Sequence, residues 1–295
     1  MDRVIELKTG GDNDVLIVLV GSLHGNEKEG VFAIERTFKR LNASSIPLNG
    51  KIIGVAGNLQ AIDKHERFLS RDLNRCWTEE YIENIFSEPY TTLIHEDKEL
   101  VDLYHLLNDV LKEDYRKKYV IDLHTTSADN GNFLVYPGIV NENTIAKKLG
   151  LPMITNLDDY LQGTTLLKYY SSENVTSFAF EGGQIGTEKA IDIHAAGIWQ
   201  LLQLSGLIQD SGESHLLIDP SEGLPSLLRV IHRHGVKPTD NFKMKDNFKS
   251  FQHIHEDELI AEDKNGEIRA PFAGMIFMPL YQAAGDDGFF IVEEI

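Results

Sequence analysis

A single cysteine, Cys76, stands among 295 residues, so no disulfide can form within the chain. The opening residues, Met1-Asp2-Arg3-Val4-Ile5-Glu6, lack the basic and apolar stretches of a secretory signal. A cytoplasmic location is the expectation. No apolar run approaches the length needed to span a bilayer. Basic residues are scarce too: 28 Lys and Arg stand against 46 Asp and Glu, a net charge of −18. Nucleic acids and anionic membrane surfaces both need a basic face, so neither is expected as a partner.

What is present starts at residues 15–20, six apolar and mostly β-branched residues that end at Gly21. Such a run describes a strand buried on both faces at the centre of an α/β sheet. Helical spacing follows, with Val31, Ile34, Phe38 and Leu41 on one stripe. Between the two patterns lie His24 and Glu27, at the carboxyl end of the strand, where open α/β sheets bind ligands. An imidazole and a carboxylate suit zinc, but a catalytic zinc normally takes three protein ligands. Residues 119–126 repeat the pattern and end on His124, while residues 177–183 place Glu181 at a third strand end. An HxxE pair alone is often a chance pairing of surface residues; three strand ends carrying ligand- or base-type residues point to one metal site.

Residues 51–58 read as a further buried strand, running into a segment with Arg67, Arg71 and Arg75. Taken singly each arginine is an ordinary surface residue; together, in an acidic protein, they describe a cluster that could bind a carboxylate bidentately. Residues 79–118 read as helical and acidic, 133–136 as a strand, 144–149 as a short helix, 163–173 as a polar loop and 188–204 as a helix. A boundary is expected at residues 205–214. Beyond it, short strands at 227–232, 258–262, 274–278 and 288–292, separated by Gly, Pro, Asp and Asn, describe a small β domain. The stretch 269–276 is similar to biotinyl or lipoyl carrier barrels but lacks their lysine-bearing turn. His232 with His234, and His253 with His255, would share strand faces, with surface histidines the favoured reading over a second metal.

His24-Gly25-Asn26-Glu27, Arg67 followed by Asp72-Leu73-Asn74-Arg75, Asp122-Leu123-His124 and Phe180-Glu181-Gly182 stand in the order of the motifs of the succinylglutamate desuccinylase/aspartoacylase family, which this chain resembles. The resemblance implies an α/β fold: a mixed-sheet, zinc carboxypeptidase-like domain over residues 1–210, and a smaller C-terminal β domain over 211–295 that shapes substrate access. It implies one Zn2+ per chain on His24, Glu27 and His124, with Glu181 as catalytic base and Arg67 steadying the carbonyl oxygen. Asn74 and Arg75 would hold the carboxylate of the amino-acid half. Where aspartoacylase has an arginine about ten residues before the glutamate, this chain has Ser171 and Ser172, so Arg71 and Lys168 become the substitutes to consider. Asp122, two residues before His124, is placed to orient the imidazole or simply to be buried. The expected activity is zinc-dependent hydrolysis of a small anionic N-acyl amino acid, and an assembly of like subunits is compatible with it. The competing readings are a metallocarboxypeptidase acting on short peptides and a non-catalytic metal or metabolite binder.

Overall fold

The computed structural model describes residues 1–127, 131–138, 140–141, 144–209, 224–281 and 285–295. Its centre is built from the apolar runs. Strands β1 (Val4–Gly10), β2 (Val15–Gly21), β3 (Gly50–Ala56), β4 (Lys117–Thr126), β5 (Asn132–Tyr136), β6 (Met153–Thr155) and β7 (Val175–Gln184) form the first part of one sheet, in the order β1-β3-β2-β4-β7-β5-β6. Every residue of β2 and β3 is buried, as an uninterrupted apolar run in a parallel sheet requires. β2 pairs in parallel with both β3 and β4, and β4 in parallel with β7. The three strands with chemistry at their carboxyl ends are thus neighbours pointing the same way.

Helices α1 (Glu29–Ala43), α2 (Leu59–Lys64), α3 (Glu79–Ser87), α4 (His95–Leu111), α5 (Leu166–Tyr170) and α6 (Glu188–Ser205) connect and cover the strands. α1 and α6 lie with the core cluster that includes Ile34, Phe38, Ile198 and Leu202; α3 and α4 contribute Ile82, Leu100, Leu103 and Leu107 to a second cluster.

Four expectations change. The helical stretch 79–118 is two helices with a short 3-10 turn at Tyr90–Thr92 between them, because Pro89 cannot extend a helix, and its last residues already belong to β4. The polar loop at 163–173 contains α5, capped by Thr165 and burying Leu166, Leu167 and Tyr170; five residues are too few to show a period. β1 is an additional, antiparallel edge strand, and residues 145–149 form a 3-10 rather than an α turn, closed by Gly150 at φ +73°.

After residue 224 come β8 (Leu227–Gly235), β9 (Lys243–Met244), β10 (His253–Ile254), β11 (Leu259–Asp263), β12 (Gly266–Arg269), β13 (Gly274–Phe277) and β14 (Asp287–Glu294). The β character expected of this part is present, but β8 pairs in parallel with β6, so the sheet continues as β6-β8-β14-β13-β10 to eleven strands. β12, β11 and β9 make a separate small antiparallel sheet. Core residues from both parts, among them Phe133, Leu228 and Phe290, pack in one cluster. Half of the expected boundary, residues 210–214, lies outside the described residues. No helix among the described residues is long and apolar enough to cross a membrane.

Candidate active site

His24 and Glu27 owe their positions to a tight turn after β2. Ser22 takes φ +58° and donates its hydroxyl to the Glu27 carbonyl oxygen at 2.7 Å, while the Glu27 N–H closes on the His24 carbonyl at 3.0 Å. Gly25 donates its N–H to the Arg67 carbonyl at 3.1 Å, tying this turn to the arginine segment. A Cβ on Gly25 would lie 2.2 Å from the Ala61 carbonyl carbon in α2. Gly25→Ala is therefore expected to cost about 1–3 kcal/mol through overpacking and to displace the turn. A lowered unfolding midpoint together with weakened metal uptake checks this, and wild-type values for both would refute it.

Around the Glu27 carboxylate the two imidazoles converge. Oε1 lies 2.9 Å from His24 Nδ1 and Oε2 lies 3.0 Å from His124 Nδ1, and the Thr125 backbone N–H donates to Oε2 at 3.0 Å. The two rings are 4.8 Å apart. All three residues are buried, and one donor atom from each lies within 4.8 Å of the others; among the described residues this is the one group of three that could hold a metal ion. The far side of each ring meets a carboxylate: His24 Nε2 lies 3.1 Å from Asp72 Oδ1, and His124 Nε2 lies 2.6 Å from Asp122 Oδ2. That is the arrangement that holds the Nε2 proton of a metal-binding histidine, so that a metal beside Glu27 would be offered Nδ1. The donor set fits a borderline-soft dication such as zinc, with two imidazoles, one carboxylate and room for a further ligand.

Electrostatics agree with this geometry. Burial alone would raise the Glu27 carboxyl, yet the two facing imidazoles hold it well below the usual carboxylate range. Burial would lower His124, but Asp122 and Glu27 outweigh it and hold the imidazole well above its ordinary value. Glu181 goes the other way: burial pushes its carboxyl up to about 8, against the pull of His124 and with the push of Glu27 and Asp122. Parallel pairing of β4 and β7 sets Glu181 directly beside His124. Its Oε2 is buried without a hydrogen-bond partner.

The arginine segment forms the next wall. Arg67 donates from Nη1 to Glu27 at 3.3 Å and from Nη2 to Asp72 at 3.1 Å. These carboxylates outweigh burial and raise its pKa. Asn74 is buried, accepts the Leu166 N–H at 3.0 Å and places Nδ2 3.3 Å from His124 Nε2. Arg75 donates to the Asn74 carbonyl at 3.0 Å and reaches Asp287 on β14 at 3.4 Å. Arg71 is not brought in: its guanidinium hydrogen-bonds the Tyr81 hydroxyl, lies 3.8 Å from Asp97, and is absent from the cavity that the other residues line. Lys168 is exposed and likewise outside the cavity.

Two contributors escape sequence reasoning. Asp287 comes from 212 residues away in the chain from Arg75 and only the continuous sheet brings it there. Glu96, buried on α4, accepts N–H groups of Leu69, Ser70 and Arg71 at 2.7, 2.9 and 3.4 Å and the Asn58 amide at 3.1 Å, so it shapes the loop from which Arg67 extends. Glu96→Ala should cost about 1–3 kcal/mol for each buried donor it strands. Urea unfolding and protease cleavage within residues 66–72 would register the change, and an unaltered midpoint would remove Glu96 from this role. Among the described residues the histidine pairs near the C-terminus gather no third donor: His234 stacks on Phe289 at 5.2 Å, and His253 and His255 are exposed.

Known proteins resemble the chain in sequence and in fold. The sequence pattern of the succinylglutamate desuccinylase/aspartoacylase catalytic domain matches residues 14–205. The chain is 24% identical over 267 residues to the succinylglutamate desuccinylase of Pseudomonas paraeruginosa, covering 86% of this chain and 76% of that one. It is 28% identical over 127 residues to a probable aspartoacylase of Acaryochloris marina, covering 43% and 39%. In three dimensions it is similar to succinylglutamate desuccinylase from Vibrio cholerae, with TM-score 0.68 and 18% identity over 96% of this chain and 82% of that one. A succinylglutamate desuccinylase/aspartoacylase from Rhodobacter sphaeroides superimposes with TM-score 0.69 and 16% identity, over 98% and 88%. The matched pattern covers most of the chain and all of the residues that meet around Glu27, and the chain therefore belongs to the succinylglutamate desuccinylase/aspartoacylase family.

Proposed function

We propose that the protein is a zinc-dependent deacylase that hydrolyses the amide bond of a small N-acyl amino acid, releasing a carboxylic acid and the free amino acid. The observation that carries this reading is the buried Glu181 carboxyl, unpartnered at Oε2, beside a convergent set of His24, Glu27 and His124 donors. Deacylation is what the names of the family's relatives describe.

In this reading His24, Glu27 and His124 hold one zinc, which when bound acidifies water and polarises a carbonyl. Asp72 and Asp122 keep the two imidazoles in the tautomer that offers Nδ1. Glu181 takes the proton from the attacking water and returns it to the nitrogen of the leaving amine. Arg67 meets the carbonyl oxygen as negative charge grows there, in a site where the buried surroundings strengthen the interaction. Asn74 and Arg75 hold the substrate carboxylate, the guanidinium as a two-pronged donor and the amide as a neighbour that fixes its course. Strands beyond residue 227 close one side of the cavity through Met278, Asp287 and Phe290 and so restrict it to small substrates. Amine release by the zinc-loaded protein across N-acetyl, N-succinyl and longer N-acyl amino acids tests the reading. Hydrolysis of one such class is expected; silence toward all of them, with short peptides cleaved, would replace it by a carboxypeptidase.

A further inference from the structure

The cavity is poor in cations for a protein that would bind an anion. Among its described lining residues outside the metal-donor group, Arg67 and Arg75 are the ones that carry positive charge. Arg67 is engaged by Glu27 and Asp72. Arg71 turns to Tyr81 and Asp97, and Arg233 donates to Asp287 at 2.5 Å. Residues 128–130, 139, 142–143, 210–223 and 282–284, which complete the chain, contain neither lysine nor arginine. Arg75 also meets the Asn74 carbonyl at 3.0 Å and Asp287 at 3.4 Å, but it shares Asp287 with Arg233, and it is the guanidinium left for a substrate carboxylate.

Opposite it, the wall is apolar: Val135, Leu157, Leu161, Leu167, Met278 and Phe290 line the same cavity. Asp158, Asp286 and Asp287 are the carboxylates among its described lining residues beyond the metal-donor group and its neighbours; Asp158 accepts from the Thr165 hydroxyl at 2.6 Å, and Asp287 from Arg233 and Arg75. A second carboxylate on the substrate would enter this space with no cation to meet it and with carboxylates nearby, and burying an unpaired charge is strongly unfavourable.

We infer that the substrate carries a single carboxylate and an uncharged apolar side chain: an N-acyl derivative of an aliphatic or aromatic amino acid rather than of aspartate or glutamate. The inference rests on the deacylase reading for its reaction, though not for its pocket. The test compares kcat/KM of the zinc-loaded protein on N-acetylleucine, N-acetylmethionine and N-acetylphenylalanine with N-acetylaspartate, N-acetylglutamate, N-succinylglutamate and Nα-acetyllysine. At least tenfold preference for the apolar set is expected; equal or better turnover of any charged member overturns the inference. Calorimetric binding of free leucine and aspartate separates the two claims. Leucine bound at least tenfold tighter, with no acyl amino acid hydrolysed, would sink the deacylase reading and uphold the apolar subsite; aspartate bound as well as leucine, or neither bound, would sink the subsite itself.

Discussion

Glu181→Gln should lower kcat by about 10²–10⁴-fold while leaving the metal content unchanged, the range expected for loss of a positioned general base. The substitution keeps the volume and one oxygen of the side chain and removes only the ability to take up a proton. Glu181 is 7% exposed, contributes no donor to the His24, Glu27 and His124 group, and leaves Oε2 without a partner, so little else depends on its charge. Burial holds its carboxyl near 8 in the absence of metal, helped by Glu27 and Asp122 and opposed by His124. A base must be ionised to act, so activity should rise with pH through the Glu181 pKa, and a dication beside it moves that rise below 8. The glutamine variant should lose this acid limb. Kinetics across pH together with elemental analysis decide the matter: turnover within tenfold of wild type, or loss of metal, would assign Glu181 another role.

The site was legible in sequence to the extent that its residues sit at strand ends. His24, His124 and Glu181 each follow a continuous apolar run, and such runs are buried in parallel sheets whose carboxyl ends meet at one edge. The arginine segment stands out because three arginines fall within nine residues of an acidic chain. What the sequence could not show is which way a loop side chain turns. Arg71 stands four residues from both Arg67 and Arg75 and looks equivalent to them, yet Glu96 captures its backbone N–H and Tyr81 its guanidinium, turning it away. Asp287 was invisible for a different reason. Its meeting with Arg75 depends on β8 pairing with β6 and on β14 pairing with β8, long-range choices that no local pattern records. The same pairings place strands from either side of residues 205–214 in one sheet.

His124→Ala should abolish tight zinc binding and cost more stability than the loss of a metal ligand alone. Ligand binding stabilises a fold by RT ln(1 + [L]/Kd), about 2.7 kcal/mol at a hundredfold excess over Kd, so zinc should raise the wild-type Tm and a chelator should lower it. The variant, left with His24 and Glu27, should respond to neither. A second penalty comes from Asp122, which is fully buried, accepts at Oδ2 from His124 alone among the bonds described for it, and has Oδ1 unpartnered. Removing the imidazole strands a buried charge, a loss on the order of 3–5 kcal/mol. Adding Asp122→Asn should recover part of that stability without restoring zinc, which separates the electrostatic loss from the lost coordination. In the wild type the carboxylates of Asp122 and Glu27 hold His124 well above its ordinary pKa, so the metal-free imidazole carries a proton that zinc must displace. Zinc affinity should therefore weaken steadily as pH falls. Full zinc occupancy in the alanine variant would move the metal away from this group of residues; an unchanged Tm response to chelator would do the same.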